Sequence, residues 1–256
     1  MRLLHRASPA PRLLLSLAVG AWLAGGGRLA GQDPVAPTSP VVPAPSSAQE
    51  APTASATPAA PAAPATPSPS LAAPAPPSLA NADFEGGAAA DGVPVGWRFP
   101  SSGGKPDFSA VVDSAVVHGG HGSVRIQSLQ EALPEDAAGV LLQGLRADAW
   151  RGRRLRLSGW LRGRDVAGSG FGGLWVRIDG PGQALLGFDN MSDRGVKGTT
   201  GWQQYQVVLD VPLNAAGIAL GALLQGRGTL WADDLRLEAV GNDVPTTTCS
   251  CDIGGH

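Results

Sequence analysis

Two tryptophan–arginine pairs are the residues of this 256-residue chain best suited by type and spacing to hold a ligand. In one alternating run Leu155, Leu157 and Leu161 fall on one side, leaving Arg156, Ser158, Trp160 and Arg162 on the other. In the next, Leu174, Val176 and Ile178 oppose Trp175, Arg177 and Asp179. If the two runs pair across the loop 163–173, then Trp160, Trp175, Arg162 and Arg177 share a sheet face that is not the core's. There the indole planes would offer an apolar surface and the guanidinium groups fixed hydrogen-bond donors. An exposed aromatic patch of this kind marks an interaction site. The other reading is that loops, a linker or a partner domain cover both tryptophans and make them core.

Other candidates carry less chemistry. Asp233 falls on the apolar side of the run Trp231, Asp233, Leu235, Leu237. A carboxylate there has to be paired, hydrogen-bonded or metal-bound, because burying it bare is too costly. His118 and His121 flank a glycine pair; with no helix to align them, they read as surface residues of a turn before they read as metal ligands. Asp189 and Asp193 are paired acids of the kind a glycosidase uses, but nothing in the sequence sets them across a cleft. Cys249 and Cys251 are the only cysteines. Oxidation within one C-x-C would strain a very small ring, which leaves a soft metal with His256, a bridge to another chain, or free thiols in a tail. No nucleophile elbow G-x-S-x-G and no H-E-x-x-H occurs. The stretch GSGFGG at 168–173 matches G-x-G-x-x-G literally, yet it precedes a strand pattern and no helix, so it reads as a loop. Catalysis is therefore not expected.

The elements that must position these residues are strands. Tyr205, Val207, Leu209 and Val211 alternate with polar residues and stop at Pro212; Ile218, Leu220, Ala222 and Leu224 form a second alternation closed by Gly226 and Gly228; Trp231 to Leu237 form a third. Between residues 81 and 240 roughly ten such runs are separated by Gly, Pro and Asp at sandwich spacing. The segment 137–150 is the one weak helical candidate. Trp97, Trp202 and Trp231 are assigned to the main core. The fold expected is all-β, a two-sheet antiparallel jelly-roll β-sandwich.

Residues 197–238, with G-W-x-x-Y-x-V, then V-P, I-x-L and G-x-x-W-x-D-D-x-x-L, resemble the C-terminal half of a galactose-binding-like jelly-roll carbohydrate-binding module. Residues 81–85 (NADFE) resemble the opening strand of such modules, Val95-Gly-Trp97 a second strand, and residues 121–126 a further one. The resemblance spans roughly 81–240 and is specific for the fold; the same sandwich also serves as an accessory domain in secreted esterases and peptidases. Residues 188–194 (FDNMSDR) resemble a loop of one subgroup of uncertain function. The resemblance implies a non-catalytic module for a polysaccharide or glycan, with Trp160, Trp175, Arg162 and Arg177 as the ligand-binding set. It also implies a structural Ca²⁺ on Glu85 and the inward Asp233, with Asn81 and backbone carbonyls as further donors and Asp83 as a substitute; oxygen ligands suit that cation. A metal-free, hydrogen-bonded Asp233 is the alternative.

The rest of the chain bears on location. Arg2, Arg6 and Arg12 precede an apolar run at 13–24 and small residues at 24–31, the layout of an export signal over residues 1–31 and too short for a stable membrane span. Residues 32–80 are almost only Pro, Ala, Ser, Thr and Val, a composition that cannot bury enough surface to order itself and reads as a disordered, extended linker. The sandwich is assigned to 81–241 and a flexible tail to 242–256. A net charge of −2 gives no electrostatic case for nucleic acid. The chain reads as an exported (periplasmic or extracellular) binding module; its alternatives are an accessory domain that binds another secreted protein and, third, a small hydrolase using Asp189 or Asp193.

Overall fold

The computed structural model describes residues 76–100, 106–134 and 136–247. The expected export signal, most of the Pro/Ala-rich stretch, Cys249, Cys251 and His256 lie outside the described residues. Among those described, nine strands occur: β1 Phe108–Asp113, β2 Ser123–Ser128, β3 Ala138–Arg146, β4 Arg154–Arg164, β5 Phe171–Asp179, β6 Leu185–Asp189, β7 Gln203–Asp210, β8 Gly217–Gln225 and β9 Thr229–Val240. The one helical element among them is a 3₁₀ turn at Pro181–Gln183.

The strands form two antiparallel sheets, β1-β2-β9-β4-β7 and β3-β8-β5-β6, stacked as a jelly-roll β-sandwich. Only β1–β2 and β5–β6 are neighbours both in sequence and in a sheet; elsewhere the chain crosses from one sheet to the other. The core lies between the inner faces. Leu155, Leu157 and Leu161 of β4, Val207 and Leu209 of β7 and Val124 and Ile126 of β2 meet Leu174, Val176 and Ile178 of β5 and Ile218, Leu220, Ala222 and Leu224 of β8. The alternations read from sequence in β4, β5, β7 and β8 thus set the inner face, as period-2 patterning requires.

Three sequence expectations fail locally. The helical candidate 137–150 is β3 followed by a turn that seats Trp150 in the core. Both faces of β3 are covered, so it reads as an apolar run without clean alternation. Residues 81–85 and 95–97, taken as opening strands, are turns tied on by isolated bridges at Ala88–Pro94 and Arg98–Leu142. Phe84 and Trp97 from this segment still enter the core.

The sandwich extends past the boundaries expected for it. Leu79 is buried in the core, and the Ala80 N–H donates to Gln143 Oε1 at 2.9 Å. The part of the tail that is described is fastened. Arg154, paired with Asp210, also donates to the carbonyls of Asn242 and Val244, and Thr247 both donates to and accepts from the backbone of the edge residue Val208. A polar strap of this kind covers an otherwise open strand edge. Arg154→Ala is expected to release it, seen as faster amide exchange at Thr247 and Val208 with the core amides unchanged.

Candidate functional site

The outer face of the five-stranded sheet gathers the aromatic and cationic side chains. Across one row Arg125 of β2 sits opposite Trp231 of β9, which sits opposite Arg162 of β4. In the next row Trp160 faces Asp233, and Trp202 comes just before the start of β7 on the far side of β4. The Arg162 and Arg164 guanidiniums lie over the Trp231 ring, 5.9 and 5.1 Å from its centroid. The Trp231 indole N–H donates to Asp113 Oδ2 at 3.0 Å, which fixes the ring's orientation beneath them. Burial pushes the Asp113 carboxyl up, but the Trp231 indole, the Ala115 and Val116 N–H groups and the Arg125 charge outweigh it and hold it below its ordinary value.

His118 joins this face from the loop between β1 and β2. Its ring stacks on Trp160 at 4.0 Å with planes 15° apart and meets Trp202 edge-on at 5.8 Å. Nδ1 lies 2.7 Å from Asp234 Oδ2, which assigns it the proton, since a carboxylate only accepts. Trp160 and Trp202 are half-buried and His118, Arg162 and Arg164 exposed, so the surface is open to a ligand.

A bulge in β9 makes this arrangement. Gly159 of β4 is opposed by two residues, Asp234 and Leu235, and Asp234 takes a φ of 49°. The inner face therefore passes from Leu230 and Ala232 to Leu235, and Asp233 points outward, not into the core as its alternation implied. A Cβ on Gly159 would fall 2.2 Å from Leu235 Cδ2, so a larger residue opposite the bulge would have to displace that core side chain.

Asp233 is fully buried beneath the loop that carries His118. Its Oδ2 accepts the N–H groups of His118 and Gly119 at 2.8 and 3.3 Å, and its Oδ1 accepts that of Asp234 at 2.8 Å. Burial raises its pKa, with the three N–H donors pulling the other way and the Asp234 charge adding to the rise. Glu85 performs the same task on the other half of the loop: its Oε1 accepts the N–H groups of His121 and Gly122 at 2.7 and 2.9 Å. A loop outside any ladder must find acceptors for its N–H groups, and these two carboxylates supply them. The pair does not fit the calcium expected from resemblance. The N–H groups directed at these oxygens present positive charge where a cation would sit.

The predicted Trp160–Trp175 platform does not form. β4 and β5 lie in different sheets, so Trp160 and Arg162 point to one side of the sandwich and Trp175 and Arg177 to the other. Trp175 is fully buried with Leu142, Phe171, Ala219 and Leu223 on the outer face of the four-stranded sheet, its indole N–H donating to the Leu141 carbonyl at 3.1 Å. Arg177 is closed in an ion pair with Asp179 at 2.8 Å. Of the four expected ligand residues, the structure leaves Trp160 and Arg162 on an open face. It adds Trp202, His118 and Arg164. Trp202 is a half-buried outer-face residue; Trp231 is buried as expected, but on the outer side of the sheet beneath Arg162 and Arg164 and not in the cluster between the sheets. The long-range pairing of His118 with Asp234 leaves no local trace, although the placement of Arg164 two residues beyond Arg162 was readable.

Asp189 and Asp193 converge on the Arg194 guanidinium at 2.5 and 2.9 Å and do not face each other across a cleft. Asp189 is wholly buried and also accepts the Met191 N–H and the Thr247 hydroxyl. Residues 188–194 are thus a self-fastened loop whose Met191 enters the core.

Comparisons with known proteins give the following. No family model matches. The chain is 39% identical over 154 residues to an uncharacterized HTH-type transcriptional regulator of Bacillus subtilis (strain 168), YbfP, a match covering 59% of this chain and 50% of the relative. The chain spans about half the length of the curated relative it matches. Among solved structures, it resembles the CBM22-1 xylan-binding domain of Paenibacillus barcinonensis Xyn10C, at 16% identity, TM-score 0.42, with 64% of this chain and 92% of that one covered. It also resembles TmCBM61 in complex with β-1,4-galactotriose, at 17% identity, TM-score 0.40, with 63% and 97% covered.

Proposed function

We propose that the protein is an exported, non-catalytic module that binds polysaccharide through the outer face of its five-stranded sheet and is carried on a Pro/Ala-rich tether. The observation that supports this best is the cluster of half-exposed Trp160 and Trp202 with exposed His118 on that face, bordered by Arg162 and Arg164. An outer sheet face needs only polar residues to meet water, whereas aromatic planes flanked by fixed donors suit the apolar faces and hydroxyl edges of sugar rings. The alternative is an accessory domain that binds another protein. It draws on the same observation, because tryptophan and arginine are also enriched at protein interfaces.

The test is a binding screen of the full chain against soluble polysaccharides by affinity electrophoresis. Trp160→Ala and Trp202→Ala, each confirmed folded, are expected to weaken binding by about tenfold or more, the cost of truncating a central aromatic contact. Binding that survives both substitutions would reject this face as the site. Failure of the wild-type chain to bind any polysaccharide would favour the protein-interaction reading.

A further inference from the structure

The two guanidiniums over Trp231 say what kind of polysaccharide the face would take. Several other arginines of the sandwich are matched to carboxylates, as in Arg154–Asp210, Arg156–Glu238 and Arg194–Asp189. Arg162 and Arg164 are exposed, and among the described residues neither has an ion pair or hydrogen bond; each rests only on the Trp231 ring. Arg125, across Trp231 from Arg162, completes the group. Its Nε is buried without a partner, and its Nη1 stands 3.6 Å from an Asp113 carboxylate already engaged by the Trp231 indole. The nearby acids Asp113, Asp233 and Asp234 are thus occupied by an indole, by backbone N–H groups and by His118.

A guanidinium seated over an indole by cation–π attraction loses less freedom on binding, and its planar donor fork matches a carboxylate or sulfate group with two parallel hydrogen bonds. The chain as a whole is weakly acidic, at −2, so this is a local feature and not part of a generally cationic surface. Position ties it to the aromatic cluster. Trp160, Arg162 and Arg164 alternate along the outer face of β4, with successive outward side chains roughly 7 Å apart. A saccharide stacked at Trp160 and Trp202 would lay a neighbouring ring's substituent over the arginines.

From this juxtaposition we infer that the ligand is an acidic polysaccharide whose carboxylate or sulfate groups are bound by Arg162 and Arg164 over Trp231. The inference rests on the polysaccharide reading above. It is tested with the full chain by titration against polygalacturonate and its fully methyl-esterified form, against dextran sulfate and dextran, and against double-stranded DNA. The expected result is at least about tenfold tighter binding to the charged member of one or both pairs, as befits charge-assisted hydrogen bonds; the pair that discriminates separates carboxylate from sulfate recognition. Arg162→Gln/Arg164→Gln should abolish that preference, lowering affinity for the charged member to that for the neutral one, while the neutral member loses far less because Trp160 and Trp202 still stack on it. Arg162→Lys/Arg164→Lys should restore only part of it, because an ammonium keeps the charge and loses the fork.

Equal binding of charged and neutral members, unaffected by the glutamine pair, would overturn the inference and leave the polysaccharide reading standing. DNA bound as tightly as the acidic polysaccharide would overturn it in favour of unspecific polyanion attraction. Absence of binding to every polysaccharide would remove both readings.

Discussion

Trp175→Ala is expected to destabilise the sandwich by about 3–5 kcal/mol, the usual cost of emptying the site of a large buried aromatic side chain. Trp175 is fully buried, packs against Leu142, Phe171, Ala219 and Leu223, and holds the Leu141 carbonyl through its indole N–H. Truncation leaves a cavity and removes the donor to that carbonyl. Urea denaturation followed by tryptophan fluorescence and circular dichroism measures the loss. Polysaccharide affinity of the variant, measured below its unfolding transition, should equal that of wild type, because Trp175 faces away from the Trp160 surface. Lost affinity in a folded Trp175→Ala protein would reassign the ligand face to the four-stranded sheet. Retained stability would show that the cluster around Trp175 is not a closed layer.

That contrast between two tryptophans also marks where the sequence stopped being informative. The alternation of Leu155, Leu157 and Leu161, and of Leu174, Val176 and Ile178, separated inward from outward residues correctly in both β4 and β5. It could not say that consecutive strands sit in opposite sheets. Sequential strands are usually neighbours, and a glycine-rich loop suits a hairpin as well as a crossover. In a sandwich, two strands facing one core from opposite sides turn their outer faces to opposite sides of the molecule. One wrong pairing therefore moved Trp175 and Arg177 across it.

The second limit is phase. A period-2 pattern holds only while the strand is regular, and the bulge at Asp234 shifts it by one residue. Reading straight through from Trp231 placed Asp233 in the core and Trp231 with it. The successive aspartates, and the glycine at 159 in the partner strand, were the available signals of irregularity. His118 was undervalued for a different reason. Its meaning lies in contacts with Trp160 and Asp234, far away in sequence, and nothing local to the two histidines encodes them.

Asp233→Ala is expected to cost about 3 kcal/mol or more, since it strands the buried N–H groups of His118, Gly119 and Asp234 together. For a domain of this size that corresponds to a fall in Tm of roughly 10 °C. It should also weaken polysaccharide binding in the folded fraction, because the same hydrogen bonds set the loop that lays His118 on Trp160. Asp233→Asn tests the charge separately, and pH gives the sign. Burial raises the folded-state pKa of Asp233 above its ordinary 3.8, so folding favours the protonated form. Its contribution is fully present below 3.8 and is lost as pH rises through the raised value. The stability of wild type minus that of Asp233→Asn should therefore shrink as pH rises above 3.8. Asp113, held below its ordinary value, has the opposite dependence: its contribution is present above 3.8 and is lost on acidification. A wild-type-minus-Asp233→Asn difference that grows with pH would mean that the three N–H donors outweigh burial and that the carboxylate is stabilised as the anion. The same carboxylate would then anchor the His118 loop more firmly at neutral pH than in acid, and polysaccharide affinity would be expected to rise with pH in step with it.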